Sequence, residues 1–219
     1  MMPVLKVLIA DDHEIVRQGM RSMLEAQREC QVVGEAADGR QAVVMTKELN
    51  PDVVILDIGM PTLNGLEATR QILKMRPQTK VLILTMHESD SIIREVLDAG
   101  ARGYILKTDA GRDLVTAIDS LRRNKTFFTS RVSQMILDGF LKGDARPKDS
   151  ESGAVRLTPR QREIVQLLAE GKSSKEVAVA LDLSVKTAET HRANIMRKLD
   201  CHSVSEVVRY AIRNNIIEA

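Results

Sequence analysis

Asp57 stands at the end of Val53-Val54-Ile55-Leu56, an apolar run followed by Gly59 and Pro61, which cannot prolong it. Such a run reads as a strand buried on both faces. It leaves a carboxylate at the carboxyl edge of a sheet, where open α/β folds bind ligands. A lone aspartate there caps a loop as readily as it does chemistry, but three other strand ends change the balance. The run Val4–Ala10 ends on Asp11-Asp12, Val81–Thr85 ends on a hydroxyl, and Arg102–Leu106 is followed by Lys107. Three carboxylates at one edge resist ionising together unless a cation joins them. Hard oxygen ligands, with no histidine or thiolate among them, suit Mg²⁺. A lysine and a hydroxyl opposite would receive phosphoryl oxygens. The chemistry implied is phosphoryl acceptance: Asp57 attacks, Mg²⁺ neutralises charge, and Lys107 and Thr85 hold the product.

The elements that must bring these residues together follow from periodicity. Helical patterns over Glu14–Ala26, Arg40–Leu49, Gly65–Met75, Ser89–Ala99 and Gly111–Arg123 alternate with the strands, which include Cys30–Ala36. On the first helix Ile15, Val16, Gly19, Met20, Met23 and Leu24 share one predicted face. Asn50-Pro51 stops the second helix, and Gly100 suits the C-cap of the fourth. Five such alternations predict an α/β domain with a five-stranded parallel, doubly wound sheet covered by helices on both faces. No GxGxxG follows the first strand, which argues against a dinucleotide site.

Composition excludes more than it selects. There are 32 Lys and Arg against 30 Asp and Glu, and the basic excess falls at the C-terminal end: Val155–Ala219 carries 11 basic and 8 acidic residues. Cys30 and Cys201 lie far apart, without metal-ligand spacing, and read as small buried or half-buried residues of a reducing compartment. No apolar run approaches the roughly 18 residues of a membrane span, and the N-terminus lacks a signal-peptide pattern. The expectation is a cytoplasmic protein with no membrane partner. Aromatic residues make up 2% of the chain, so a stacking platform for single strands is excluded.

Asp11-Asp12, Asp57 with Met60-Pro61, Thr85 and Gly103-Tyr104-Ile105-Leu106-Lys107 together resemble the receiver domain of two-component response regulators, a flavodoxin-like fold. The resemblance covers Met1 to about Arg123. It implies that Asp57 is the phospho-acceptor of a partner sensor histidine kinase. It implies that Asp12, Asp57 and the backbone carbonyl of Gly59 bind Mg²⁺ directly, with Asp11 acting through water. Thr85 and Tyr104 would form a switch pair. Thr108 stands where many receivers have proline, often after a cis bond, so the geometry of that peptide is left open.

Residues 124–155 read as connector and linker. Ser130 could cap a helix to Leu141 with Val132, Met135, Ile136 and Phe140 on one stripe. That helix reads equally as a transmitter of receiver state or as a helix packed on one domain. Lys142–Val155, rich in Gly, Pro, Ser and charge, reads as a flexible tether.

Residues 156–219 read as an all-α domain of four helices. Thr158-Pro159 opens the first, Ser174 caps the second, and Asp182-Leu183-Ser184 forms a tight turn before a longer helix to Leu199. Ser203 caps the last. The middle pair makes a helix-turn-helix. The candidates on its free face are Lys186, Thr187, Glu189, Thr190, His191, Asn194, Arg197 and Lys198. Leu157–Gln161, Ala169–Ala178 and Leu183–Leu199 resemble the LuxR-type DNA-binding domain, so the whole chain resembles the NarL/FixJ class of response regulators. Ala188-Glu189 departs from the Val-Lys of many members. Glu189 either accepts from a cytosine amino group or repels phosphate.

The resemblance implies a transcription regulator that binds double-stranded promoter DNA as a homodimer, with phosphorylation driving receiver dimerisation, release of a masked recognition helix, or both. It implies a phosphoryl acceptor rather than an enzyme, with at most slow self-dephosphorylation. Val204, Val208 and Ala211 are the expected dimer contact on the last helix. Two other readings remain: a phosphoryl relay or sink whose helical domain binds protein, and a Mg²⁺ phosphohydrolase, which lacks a second acid/base near Asp57.

Overall fold

The computed structural model describes residues 4–86, 89–141 and 157–217. Strands and helices alternate as β1 (Leu5–Ala10), α1 (Glu14–Glu25), β2 (Cys30–Ala36), α2 (Gly39–Leu49), β3 (Val53–Asp57), α3 (Gly65–Met75), β4 (Lys80–Thr85), α4 (Asp90–Asp98), β5 (Gly103–Leu106) and α5 (Ala110–Arg122). All the strand pairings are parallel and the order is β2-β1-β3-β4-β5. This is the doubly wound topology expected, and its order reverses between β1 and β3.

β3 is buried along its whole length, as its unbroken apolar run requires. Alternation then divides the core in two. Val7, Ile9, Val53, Ile55, Leu82, Leu84 and Ile105 pack against Met20 and Leu24 of α1 and Leu114, Ile118 and Leu121 of α5. Leu8, Val54, Leu56, Ile83 and Tyr104 alternate with them and are fully buried too. Truncating any of these large side chains to alanine costs about 2–5 kcal/mol.

The edge strand β5 is not left open. Tyr104 N donates to Phe127 O at 2.9 Å and Phe127 N to Arg102 O at 3.0 Å, forming an isolated parallel bridge. Gly103 eases the approach, since a Cβ there would lie 3.3 Å from Phe127 O, and it also makes room for Leu82 Cδ1 of β4, which that Cβ would meet at 2.6 Å.

The predicted face of α1 needs correction. Val16, Met20, Met23 and Leu24 turn inward, but Ile15 is 84% exposed and Gly19 is exposed as well. Ile15 lies in the first turn, one step beyond the stripe that meets the sheet.

α6 (Ser130–Leu141) follows, and Val132 is fully buried. Its N-terminal hydroxyl belongs to Thr129, which accepts from Val132 N, rather than to the predicted Ser130. The side chains of Ile136 and Phe140 and the predicted tether at residues 142–155 lie outside the described residues.

A separate all-helical unit contains α7 (Pro159–Ala169), α8 (Ser174–Leu181), α9 (Val185–Lys198) and α10 (Val204–Arg213). Its own core gathers Ile164, Val165, Leu168, Val177, Leu181, Ala188, Ile195, Val207 and Ala211. Thr158 with Gln161, and Ser173 with Glu176, form reciprocal capping boxes. The cap of α8 is thus Ser173, one residue before the one expected. Asp182 adopts a left-handed φ of 52° and ends α8, and Ser184 caps α9 three residues into the turn. Among the described residues, no helix is long and apolar enough to cross a membrane.

Candidate functional site

Register alone brings the acidic residues together. Ala10 pairs with Leu56, so the next residues, Asp11 and Asp57, leave the sheet side by side at the switch point. Thr85 pairs with Leu106, so Lys107 emerges beside them from the far strand. Ile9, Ile55 and Ile105 share one face, and alternation carries Asp11, Asp57 and Lys107 to that same side. Ile83 pairs with Tyr104, so Tyr104 and Thr85, two residues beyond Ile83, belong to the opposite face. Both are fully buried.

The Lys107 ammonium joins two carboxylates, lying 2.9 Å from Asp11 Oδ2 and 2.8 Å from Asp57 Oδ2. Asp11 is 0% exposed, Asp57 4% and the Lys107 side chain 8%. Burial works against the ammonium, but hydrogen bonds and charge from Asp57 and Asp11 outweigh it and hold its pKa above the ordinary lysine value. Arg17 Nη1 donates to the backbone carbonyl of Asp11 at 2.6 Å, tying α1 to the site. Asp12 lies at the mouth, 34% exposed. Gly59 is half-buried in the turn after β3.

Two contributors were not anticipated. One is Gly65, the first residue of α3: its N–H donates to Ile58 O at 3.0 Å, and a Cβ there would stand 2.0 Å from the Asp57 carbonyl oxygen. The signal was a glycine opening a helix eight residues after a candidate nucleophile. The other is His13. The all-oxygen donor set expected from the sequence gains an imidazole, since Asp11, Asp12, His13 and Asp57 offer ligand atoms all within 4.8 Å of one another. The donor set is compatible with a divalent ion: Asp11 and Asp57 are buried carboxylates balanced by one ammonium, and Asp12 is open to solvent.

Among the described residues no peptide bond is cis, and Lys107–Asp109 makes a short 3₁₀ turn where Thr108 replaces the proline of many receivers.

In the helical unit, Lys186, Thr187, Glu189, Thr190, Asn194, Arg197 and Lys198 are exposed on α9 and His191 is half-buried. Thr187 Oγ1 lies 2.8 Å from the capping Ser184 Oγ, so its hydroxyl is engaged in starting the helix. Thr190 Oγ1 donates to Lys186 O at 2.9 Å, which leaves its lone pairs outward. Arg197 Nη2 donates to Asn194 Oδ1 at 2.7 Å, which turns the Asn194 amide nitrogen away from it. Lys198 Nζ reaches Gln161 Oε1 of α7 at 3.2 Å.

The expected contact on α10 is corrected by one position. Ala211 is fully buried in the unit's own core, because it follows Val207 by four residues on the inner face. Val204 and Ile212 are 39% and 37% exposed, with Val208 half-buried between them. The outward stripe is therefore Val204, Val208 and Ile212.

Residues 7–119 match the family model described as the response regulator receiver domain, and residues 155–211 match that of bacterial regulatory proteins of the luxR family. The response regulator protein VraR of Staphylococcus aureus strain Mu3 is 39% identical over 214 residues, covering 98% of this chain and 99% of VraR. A solved structure of the RcsB response regulator of Salmonella typhimurium is 31% identical, with a TM-score of 0.57 over 95% of this chain and 98% of that one. A structure of two RcsB dimers bound to two parallel DNAs is 30% identical, with a TM-score of 0.57 over 96% and 98%. With the acidic cluster at the switch point of one unit and a helix-turn-helix in the other, the chain belongs to the response regulators of the NarL/FixJ class, transcription factors that join a receiver to a LuxR-type DNA-binding domain.

Proposed function

We propose that Asp57 accepts a phosphoryl group from the phosphohistidine of a partner sensor kinase and that this controls binding of promoter DNA. The supporting observation is the buried pair Asp11 and Asp57 sharing the Lys107 ammonium. An Asp57 Oδ attacks phosphorus in line, its P–O bond forming as the P–N bond to the kinase imidazole breaks. Lys107 exchanges a carboxylate for a phosphoryl oxygen, and the Thr85 hydroxyl donates to another. Tyr104, on the same side of the sheet as Thr85, repacks with it. Asp11, Asp12 and Asp57, with the Gly59 carbonyl, would hold Mg²⁺, which supplies charge neutralisation of the transferring group.

Residues 1–123 form the receiver, 124–155 the connector and linker, and 156–219 the DNA-binding domain. The exposed residues of α9 enter the major groove: Glu189, Thr190 and Asn194 face base edges, and Lys186, Arg197 and Lys198 face phosphates, with His191 beside them. The RcsB complex, two dimers on DNA, supports a homodimer for this chain. Val204 and Val208 take part in its DNA-bound contact.

Asp57→Asn tests the reading. Incubation with acetyl phosphate and Mg²⁺ phosphorylates the wild type and leaves the variant unlabelled, and phosphorylation tightens a promoter footprint. Label that persists in the variant refutes the acceptor, and a phosphorylated chain that protects no DNA favours a relay or sink.

A further inference from the structure

We infer that His13 is a ligand of the divalent-ion site and biases it toward imidazole-accepting transition ions over Mg²⁺. The inference rests on the reading of Asp11, Asp12 and Asp57 as that site. His13 Nδ1 lies 2.7 Å from Asp12 Oδ1 and 3.2 Å from Asp11 Oδ1. The backbone N–H of His13 also donates to Asp11 Oδ1 at 2.9 Å, which fixes the residue against the cluster. His13 occupies the N-cap of α1, yet its ring makes no capping hydrogen bond. The ring turns instead toward the carboxylates, and it is 65% exposed, so an ion from solvent reaches it directly. Among the described residues Nε2 has no polar partner, which leaves it open to water, one of the partners that the outer nitrogen of a ligating histidine takes.

Distances suit coordination. Zn²⁺ holds nitrogen and oxygen ligands tetrahedrally at about 2.0–2.2 Å, so its ligand atoms stand about 3.3–3.6 Å apart. The four candidate atoms lie within 4.8 Å of one another, so the widest pair closes by about an ångström and His13 Nδ1 and Asp12 Oδ1, now 2.7 Å apart, open by somewhat less to take an ion between them. Mg²⁺ prefers oxygen and gains nothing from the ring, whereas Zn²⁺, Fe²⁺ and Co²⁺ accept imidazole. The same three aspartates then serve two classes of ion, and His13 sets their ranking.

The test uses the full chain with Zn²⁺, Co²⁺ and Mg²⁺ as probes. In competition calorimetry, His13→Ala weakens Zn²⁺ binding about tenfold and leaves Mg²⁺ binding unchanged. The Co²⁺-loaded wild type shows a strongly shifted, exchangeable imidazole proton by NMR that the variant lacks. His13→Gln, which keeps a polar side chain at the N-cap, also lacks it. Equal Zn²⁺ affinity in wild type and variant, or a shifted proton that survives His13→Ala, overturns the inference. Binding of every ion that ignores both Asp12→Asn and Asp57→Asn overturns the site reading itself.

Discussion

Lys107 decides whether the two buried carboxylates beside it can coexist. Its raised pKa means that its contribution to stability is complete below the unfolded lysine value and is lost only as pH rises through the folded one, so at neutral pH it acts in full. Removing one partner from a buried charged cluster costs about 3–5 kcal/mol. Lys107→Met therefore lowers stability by about 3 kcal/mol in EDTA, measured by urea denaturation at pH 7. Added Mg²⁺ restores more stability to the variant than it adds to the wild type, because the ion substitutes for the missing charge. Equal stability of the two proteins in EDTA contradicts this account. Gly65 acts through space rather than charge. A methyl group 2.0 Å from the Asp57 carbonyl oxygen must push the end of β3 or the start of α3 aside. Gly65→Ala costs about 1–3 kcal/mol and slows phosphate uptake from acetyl phosphate although Asp57 is intact. A variant of unchanged midpoint and labelling rate refutes the close approach.

Among the elements, the helix caps differ in their response to acid. α7 closes its capping box with Gln161, which does not titrate, whereas α8 closes its own with Glu176. Glu176 Oε2 accepts from Ser173 N at 2.8 Å and from Ser173 Oγ at 2.7 Å, and these bonds hold its pKa below the ordinary glutamate value. A depressed carboxylate stabilises above its unfolded pKa of 4.5, and the benefit disappears as pH falls through the folded value. Amide exchange at the start of α8 thus accelerates below about pH 4.5 relative to that of α7, and Glu176→Ala removes the difference by making α8 fast at every pH. Ser173→Ala costs about 1 kcal/mol. Identical acid profiles for the two helix starts refute the assignment. The alternation of strands and helices was readable because β3 and its neighbours carry unbroken apolar runs, and the ends of those runs named Asp11, Asp57, Thr85 and Lys107. Contacts that depend on a side chain's turn rather than its period were not readable. Nothing in the order of residues marks His13, which falls between the first strand and helix, and only the folded loop swings its ring onto Asp12. Ala211 looked like part of an outward stripe because Ala, Val and Ile repeat on both sides of α10, and the small residue proved to be the inner one.

For the whole molecule the controlling quantity is charge per DNA contact. The segment Val155–Ala219 carries 11 basic and 8 acidic residues, and α9 offers Lys186, Arg197 and Lys198 on its exposed side. One helical unit therefore neutralises roughly three or four phosphates, and a pair about six to eight, so log Kobs against log salt has a slope of about −3 for a single unit and about −6 for a dimer. If phosphorylation acts by pairing subunits on DNA, the slope doubles when the chain is phosphorylated, and Asp57→Asn keeps the shallow slope under the same treatment. Half-sites read by such a pair lie about one helical turn apart, so inserting roughly five base pairs between them turns one to the opposite side of the duplex. That insertion removes the affinity gained on phosphorylation and leaves the affinity of the unphosphorylated chain unchanged. A slope that stays constant while affinity rises would instead show that phosphate frees a recognition helix already able to bind alone. Filter binding across about 50–200 mM salt separates the two, because the expected difference of about three in slope amounts to some sixtyfold in affinity over that range.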